Sequence, residues 1–458
     1  MKNKVVDKKI LKILIPAILE NALLTISSMV LTSYIGRLAV EEINAYGLGN
    51  RIFNLYFNVF KGFSIGGMLL IAIAFGKDDR NQCAKIQKVN YLVVLPIAII
   101  VSILLFWKSE IILKIMTDDS NLLAESMSYL RIIVISFPLV ALVHLNSAAF
   151  QASGNTRIPL FIAGIGNLVN IVIGYVLIFG IGPVKGGNII GAAWAQNIEY
   201  LVMFLVGLYL LYGKDGLFYR CCNSVRQDGA EITKKIFVAG IPAAIENSFW
   251  ALAMIFMSSV ILSYGQNYYA SFQLGLQVEG FCDMMSAGFL TAAISLSANS
   301  IGARDDNMYR FCYKRLNHYC SIICCITITF LAFFSKQVLS FLTNKPELIR
   351  IAAVYLYTMI WSQYAQHKQK IVYGYLRSAG SVNAPMVISF IGIWCVRVTL
   401  VYLFGNVLHL DIVWIWWAMN IDQWVREIIA ESLFKRREVL NYINIKERNR
   451  NILWKDLN

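Results

Sequence analysis

Twelve long apolar runs, separated by short charged segments, constrain the fold of this chain more than any other feature. A transmembrane helix needs about 20 mostly apolar residues. Charged residues make up 15% of the chain, against about 25% in soluble proteins. We therefore predict an all-α integral membrane protein of twelve transmembrane helices, with spans at Ile10 to Ile35, Ile52 to Phe75, Tyr91 to Phe106, Tyr129 to Phe150, Pro159 to Ile181, Ile189 to Tyr212, Ile236 to Leu262, Phe272 to Ile301, Cys320 to Phe334, Ile351 to Leu376, Met386 to Phe404 and Ile412 to Phe434.

Basic residues concentrate in the loops on one side of these spans. Residues 77–88, 214–235 and 304–315 and the tail that begins at Lys435 all fall on the side of the N-terminus. Cytoplasmic loops of membrane proteins carry an excess of Lys and Arg. Both termini are therefore predicted to be cytoplasmic, in a multi-pass protein of the cell (plasma) membrane. The net charge of +14 belongs to these flanks and does not indicate a nucleic-acid partner.

The chain contains an internal repeat. Pro16 and Glu20 recur as Pro242 and Glu246, a displacement of 242 − 16 = 226, and the same displacement pairs Gly62 with Gly288, Gly76 with Gly302 and Gly154 with Gly380. Each half has an even number of spans, so the halves are predicted to be parallel repeats about an axis along the membrane normal. The expected domains are an N-terminal six-helix lobe (1–213), a cytoplasmic linker (214–235), a C-terminal six-helix lobe (236–434) and a basic cytoplasmic tail (435–458).

Several strings resemble the multidrug and toxic compound extrusion (MATE) family, within the superfamily that includes lipid-linked oligosaccharide flippases. They begin at Gln151, Asn167 and Gly191 in the first half and at Gly302, Leu376 and Trp394 in the second. The resemblance implies two six-helix bundles that form a V around a central cleft. It also implies alternating access, with antiport of a drug-like, usually cationic substrate against Na⁺ or H⁺.

The chain departs from the family at its usual acidic positions. Leu31, Gly174, Trp250 and Gln366 stand where many members of the family carry an acidic residue. Asn170, the family asparagine that precedes Gly174 by one helical turn, is present. Na⁺ and H⁺ both remain open as the coupling ion, as does the number of ions exchanged.

Two glutamates at matching positions of the repeat are candidate cation-coupling residues. Glu20 and Glu246 each follow a proline by one turn and precede an amide, Asn21 or Asn247. Carboxylate and amide oxygens suit a small hard cation, and a carboxylate within a membrane span is functional by default. The alternative is a hydrogen bond between helices from a permanently neutral glutamic acid.

Lys61 distinguishes the two glutamates. It lies deep in the second span and is expected to neutralise Glu20, whereas its partner in the repeat is Ala287. Glu246 is therefore expected to be the residue that titrates during transport. Replacing it with Gln is expected to abolish gradient-driven efflux without unfolding the protein.

Glu279 and Asp283 are four residues apart and so share one helix face. If both face the cleft, their mutual repulsion favours the binding of a proton or a cation. The alternative is that Glu279 is simply hydrated near the outer surface.

The tenth span is unusually polar, which is tolerated where a helix lines water or protein. Its lysines are possible counter-ions of Glu246 or Asp283, and such a cavity keeps anionic and zwitterionic substrates open. The alternative is a short helix whose lysines extend towards the cytoplasm. The substrate-cleft candidates of this span are Gln363, Gln366, His367 and Lys370. Lys61 and the adaptable apolar pair Trp250 and Met254, which lie in other spans, are further candidates for the cleft.

We expect a secondary antiporter that exports drug-like or amphipathic small molecules in exchange for Na⁺ or H⁺. The alternative is a flippase or exporter of a lipid-linked precursor with the same fold. An enzyme is disfavoured, because the four histidines lack metal-ligand spacing. Beyond the coupling ion, no cofactor or metal site is expected. The expected partners are membrane lipid and a small-molecule substrate, with an organic cation as one candidate, and the chain is expected to act as a monomer.

Overall fold

Almost all of the described chain is helical. The computed structural model describes residues 2–117, 119–181, 184–219, 221 and 228–436. The helices of the first half are α1 (Lys2–Ile35), α2 (Val40–Gly76), α3 (Arg80–Lys114), α4 (Ser120–Ile133), α5 (Phe137–Ala152), α6 (Arg157–Phe179) and α7 (Asn188–Tyr212). The helices of the second half are α8 (Gly229–Ser263), α9 (Gln266–Gly302), α10 (Asp306–Leu342), α11 (Pro346–Met359), α12 (Gln363–Ser378), α13 (Ala384–Phe390), α14 (Thr399–Tyr402) and α15 (Ile412–Arg436).

Short irregular turns join some of these helices into longer rods. A 3₁₀ turn at Val134–Ser136 joins α4 to α5, and a second at Ile360–Ser362 joins α11 to α12. A π-helical stretch at Ile391–Val398 joins α13 to α14, and another at Leu403–Val407 extends α14. Counted across these joints, the described residues form twelve helical segments. A minimal antiparallel pair, β1 (Gly180–Ile181) with β2 (Val184–Lys185), is the one sheet among them.

Ten of the twelve segments are long and apolar enough to cross a membrane by length and composition alone. The two others are the α11–α12 rod and α15. Both carry charged residues in their interior, among them Lys368 and Lys370 in α12 and Asp422 and Arg426 in α15. The prediction of an all-α chain with twelve helical segments is confirmed.

The repeat is visible in the helix boundaries. The displacement of 226 carries Val40–Gly76 onto Gln266–Gly302 and Ser120–Ile133 onto Pro346–Met359, residue for residue at both ends. It also carries α5 onto α12, together with the 3₁₀ turn before each. Gly154 and Gly380 follow these helices with φ of 78° and 88°, a left-handed conformation that glycine adopts without steric cost. The repeat therefore reflects shared backbone geometry.

The chain divides into two compact units. The N-terminal unit comprises Leu19–Ala244, and the C-terminal unit comprises the described residues up to Ile18 together with those from Ile245 onward. Of the predicted linker, residues 220 and 222–227 lie outside the described residues. Of the predicted basic tail, residues 437–458 also lie outside them.

Close helix contacts in the N-terminal unit depend on glycine. A Cβ atom on Gly62 would lie 2.7 Å from the carbonyl carbon of Ala243, and one on Gly66 would lie 2.7 Å from the backbone nitrogen of Gly240. Both separations are shorter than any normal contact. In membrane proteins small residues allow backbones to approach in this way, because the packing itself holds the helices together.

Candidate functional site

Buried charged side chains gather inside the C-terminal unit. A charge in a membrane span is costly unless it is paired or solvated, so each one needs a physical account. Those with less than a tenth of their surface exposed are Glu246 on α8, Glu279 on α9, Arg377 on α12, Arg397 in the first π-helical stretch, and Asp422, Arg426 and Glu427 on α15.

Glu246 is held by two cations. Arg377 donates a hydrogen bond from Nη2 to Oε2 of Glu246, and Nζ of Lys370 lies 3.8 Å from Oε1. Lys370 is thus a counter-ion of Glu246, one of the partners considered from the sequence. The expectation that Glu246 has less cationic neutralisation than Glu20 is wrong, because Arg377 and Lys370 both lie against its carboxylate.

Glu279 and Asp283 receive hydrogen bonds from neutral groups. The hydroxyl of Tyr355 on α11 donates to Glu279, and Nε2 of Gln366 on α12 donates to Asp283. Glu279 is buried rather than hydrated at a surface. Their spacing of one helical turn places both carboxylates against the same neighbouring rod, as the sequence predicts.

Arg397, Asp422 and Arg426 form a buried triad that the sequence analysis did not identify. Nε and Nη2 of Arg397 lie 2.9 and 2.6 Å from Oδ2 of Asp422. Nε of Arg426 lies 2.8 Å from Oδ1, and its Nη2 lies 2.9 Å from Oδ2. The available signal was the charged pair of Asp422 and Arg426, one turn apart inside an apolar span.

A pocket in the C-terminal unit brings the carboxylate pair and the triad together. Three of its polar groups include an atom without a hydrogen-bond partner: Oε1 of Gln366, Oε1 of Gln423 and Nη1 of Arg397. The pocket therefore offers both oxygen acceptors and a cationic donor to a ligand. It is lined by Trp250, Leu276, Glu279, Asp283, Met359, Gln366, Arg397, Met419 and Gln423.

The other candidates on α12 do not line this pocket. Nε2 of Gln363 donates to the carbonyl of Met359 at 3.3 Å, and Nδ1 of His367 lies 2.9 Å from the hydroxyl of Ser286. Lys368 forms an ion pair with Glu427 at 2.9 Å. Of the polar residues predicted on this helix, Gln366 is the one that lines the pocket.

The two residues of the predicted apolar pair, Trp250 and Met254, lie in different surroundings. Trp250 lines the pocket and is 45% exposed. Met254 packs against the hydrophobic core of the C-terminal unit, so core packing accounts for it. Asn247 follows Glu246 on α8 and is half-buried.

In the N-terminal unit, Glu20 accepts a hydrogen bond from Nε2 of Gln151 at 2.9 Å. Lys61 lies close enough to interact with Glu20 electrostatically, as the sequence predicts. Asn21, the next residue on α1, is half-buried, and its backbone carbonyl accepts a hydrogen bond from the hydroxyl of Thr25.

A second carboxylate of this unit lies beside Asn170. Nδ2 of Asn170 on α6 donates to Oε2 of Glu199 on α7, and both residues are buried. A Cβ atom on Gly174 would lie 3.5 Å from Oδ1 of Asn170. An acidic side chain at position 174, where many members of the family carry one, would therefore lie beside Asn170. Glu199 was overlooked, although a glutamate within a predicted span is a signal in itself.

The two halves of the chain match one family. The model of the MatE family matches residues 16–176 and 242–403. A protein of Thermotoga maritima named "Probable multidrug resistance protein NorM" is 23% identical over 449 residues, which cover 96% of each chain. "Multidrug resistance protein PmpM" of Pseudomonas aeruginosa is 25% identical over 407 residues, 87% of this chain and 84% of that one.

Solved structures share the fold. One, described as the outward-facing conformation of a multidrug resistance MATE family transporter of the MOP superfamily, has a TM-score of 0.87 at 18% identity. It covers 95% of this chain and 96% of the other. A MOP superfamily transporter from Pyrococcus furiosus gives the same TM-score, identity and coverage. With family matches in both halves and the fold of these transporters, this chain belongs to the MATE family of multi-pass membrane transporters.

Proposed function

We propose that this protein is a secondary active antiporter of the cell membrane that exports drug-like or amphipathic small molecules in exchange for Na⁺ or H⁺. Its relatives NorM and PmpM carry multidrug resistance in their names. The basic loops support an orientation with both termini in the cytoplasm. Its proposed partners are membrane lipid and the small-molecule substrate, and its proposed cofactor is the coupling ion. We propose that it acts as a monomer and performs no covalent chemistry.

The observation that carries this proposal is the placement of Glu279 and Asp283 at one pocket, where they accept hydrogen bonds from Tyr355 and Gln366. Two carboxylates one helical turn apart repel each other strongly where water is scarce. A proton on one of them, or a Na⁺ ion shared between them, removes that repulsion. Oε1 of Gln366 and Oε1 of Gln423, both without a partner, add oxygen ligands of the kind that hard cations prefer.

Exchange follows if the coupling cation and the positive centre of the substrate need the same carboxylates. Substrate then leaves when the cation binds, and the cation leaves when substrate binds. Each ligand biases the protein through its differential affinity for the two access states. Trp250 and Met359 supply the apolar contacts that an amphipathic substrate requires.

Glu246 is assigned a different role from that of the pocket carboxylates. Its ion pairs with Arg377 and Lys370 provide two positive charges within the protein, so no imported cation is needed to balance it. In the N-terminal unit, Glu20 and Glu199 each accept a hydrogen bond from an amide. They are the candidates for a second coupling site.

The experiment is transport by the purified protein in sealed vesicles. A Na⁺ gradient and a pH gradient are imposed separately at zero membrane potential, and accumulation of a fluorescent amphipathic cation is followed. The proposal predicts accumulation driven by at least one gradient and abolished by its collapse. The double variant Glu279→Gln/Asp283→Asn should lose this response, whereas Ser321→Ala, an exposed position on α10, should keep it. Equal uptake with and without either gradient contradicts the proposal.

A further inference from the structure

A row of polar side chains on α15 leads from the pocket towards the end of the helix at Arg436. Gln423 lines the pocket, and Glu427, Glu431 and Lys435 follow it at intervals of four residues. Residues four apart on a helix share one face, with about 5–6 Å between their Cβ atoms. The exposed fraction of the charged side chains rises along the row, from 7% for Glu427 through 16% for Glu431 to 72% for Lys435. The row therefore joins the pocket to the exposed end of α15, on the side proposed to be cytoplasmic.

Lys368 on α12 is shared by the two carboxylates of this row. Its Nζ lies 2.9 Å from Oε1 of Glu427 and 3.8 Å from Oε2 of Glu431. Among the described residues, Lys368 is the one cation within ion-pair distance of Glu427. Glu431 has two further partners, because the hydroxyl of Tyr313 donates to its Oε2 at 2.9 Å and Nζ of Lys435 lies 3.3 Å from its Oε1. The charge of Glu427 therefore depends on Lys368 alone.

A proton on Glu427 would not leave Lys368 without a counter-charge. The ammonium group can then pair with Glu431, which it already approaches, so one ion pair replaces another and no buried charge is left uncompensated. Other titratable groups that act on Glu427 are tyrosine and cysteine side chains, which are ordinarily neutral at pH 7. They are Tyr313 and Cys320 on α10 and Tyr364 on α12.

The contacts along the row favour a proton over a metal cation. A Na⁺ ion on this path would pass the ammonium groups of Lys368 and Lys435, and like charges repel strongly where water is scarce. The oxygens of Glu431 that could bind such an ion already accept from Tyr313 and Lys435. A proton needs no set of ligands, because it is transferred directly between hydrogen-bonded groups.

We propose that Glu427 carries protons between the pocket and the cytoplasm. A proton released by the pocket carboxylates reaches Glu427 through water in the pocket, and Lys368 moves to Glu431. The proton then passes from Glu427 to water on the cytoplasmic side, and Lys368 returns. One proton has moved, and every side chain has regained its original charge. This inference rests on the proposed function, because it names H⁺ as the coupling ion and the residue through which it leaves.

The test separates proton movement from substrate movement, with ethidium as the probe and the purified protein in sealed vesicles. Uptake driven by a pH gradient requires protons to cross the protein. Exchange of radiolabelled for unlabelled ethidium, at equal pH on both sides, does not. Glu427→Gln should lose the first reaction and retain the second, whereas Glu427→Asp, which keeps a carboxylate, should recover part of the first. The matched control is Glu110→Gln, at an exposed glutamate that pairs with Lys114, and it should retain both reactions.

A second variant keeps the test valid if Glu427→Gln does not fold, which thermal unfolding checks. Lys368→Met/Glu427→Gln removes both members of the ion pair, a change that is often nearly neutral for stability. It should show the same loss of pH-driven uptake with exchange retained.

The outcomes separate this inference from the proposed function. Normal pH-driven uptake in Glu427→Gln or in the double variant overturns the inference, and so does a loss of exchange equal to the loss of pH-driven uptake. A wild-type protein that responds to a Na⁺ gradient and not to a pH gradient also overturns it and leaves the antiport standing. A wild-type protein that responds to neither gradient contradicts the antiport and, with it, the role of Glu427.

Discussion

Glu246→Gln should destabilise this protein, and by more than Arg377→Met. Glu246 is 5% exposed and Arg377 is 2% exposed, and their side chains form an ion pair. Removing one member of a buried pair leaves the other charge uncompensated and typically costs about 3–5 kcal/mol. Glu246→Gln leaves both Arg377 and Lys370 without their carboxylate, whereas Arg377→Met leaves Glu246 with Lys370 at 3.8 Å.

The magnitude is measured as a double-mutant cycle. Wild type, Glu246→Gln, Arg377→Met and the double variant are unfolded in mixed micelles with increasing dodecyl sulfate, and the free energy of unfolding is compared. We expect a loss of about 3–5 kcal/mol for Glu246→Gln and a smaller loss for Arg377→Met. The double variant should lose less than the sum, since neutralising both members of a buried pair is often nearly neutral.

Additive losses in the cycle would refute this account of Glu246. So would a Glu246→Gln variant that is as stable as wild type and has lost only gradient-driven transport. That second result would restore the expectation drawn from the sequence, in which Glu246 titrates and the fold survives its replacement.

Three further changes test other parts of the structure. Gly275→Ala places a Cβ 2.9 Å from Cε1 of Tyr355, so it should displace the hydroxyl that binds Glu279 and weaken cation-driven uptake in vesicles by about tenfold. The control is Gly280→Ala, which should transport normally because no atom lies within 4 Å of its Cβ. Gly154→Ala and Gly380→Ala should each lower the free energy of unfolding by about 1–2 kcal/mol, because both positions have positive φ; a large difference between them would contradict the shared geometry of the repeat. Glu199→Gln should flatten the dependence of transport on the driving cation while it retains wild-type stability, since Gln keeps an acceptor for Asn170; an unchanged ion dependence would remove Glu199 from the coupling site.

The fold was predictable because it depends on patterns that are local or repeated. Apolar runs specify helices in a bilayer without reference to any partner. The displacement of 226 between Pro16 and Pro242 then relates the helices of the two halves, and the observed helix boundaries follow it. Such patterns do not depend on which side chains meet in space.

The site was predictable only in part, because pairing depends on packing between distant segments. Glu279 and Asp283 were identified from their spacing on one helix. Arg377 is 131 residues from Glu246, its partner, and nothing in the sequence relates the two. Glu199 and Asp422 are different, since each is a charge inside an apolar span and the rule that selected Glu20 also selects them.

The most direct measurement of the central claim is competition between ligand and cation at the pocket. The ligand is rhodamine B methyl ester, a fluorescent amphipathic cation. Its binding to the purified wild-type protein and to Glu279→Gln/Asp283→Asn is measured at increasing Na⁺ and, separately, at decreasing pH. If the two carboxylates bind either the coupling cation or the substrate, the apparent Kd of the wild type rises with Na⁺ or with acidity, and that dependence disappears in the variant. A dependence of the same size in both proteins would place the coupling site elsewhere and contradict the proposed exchange.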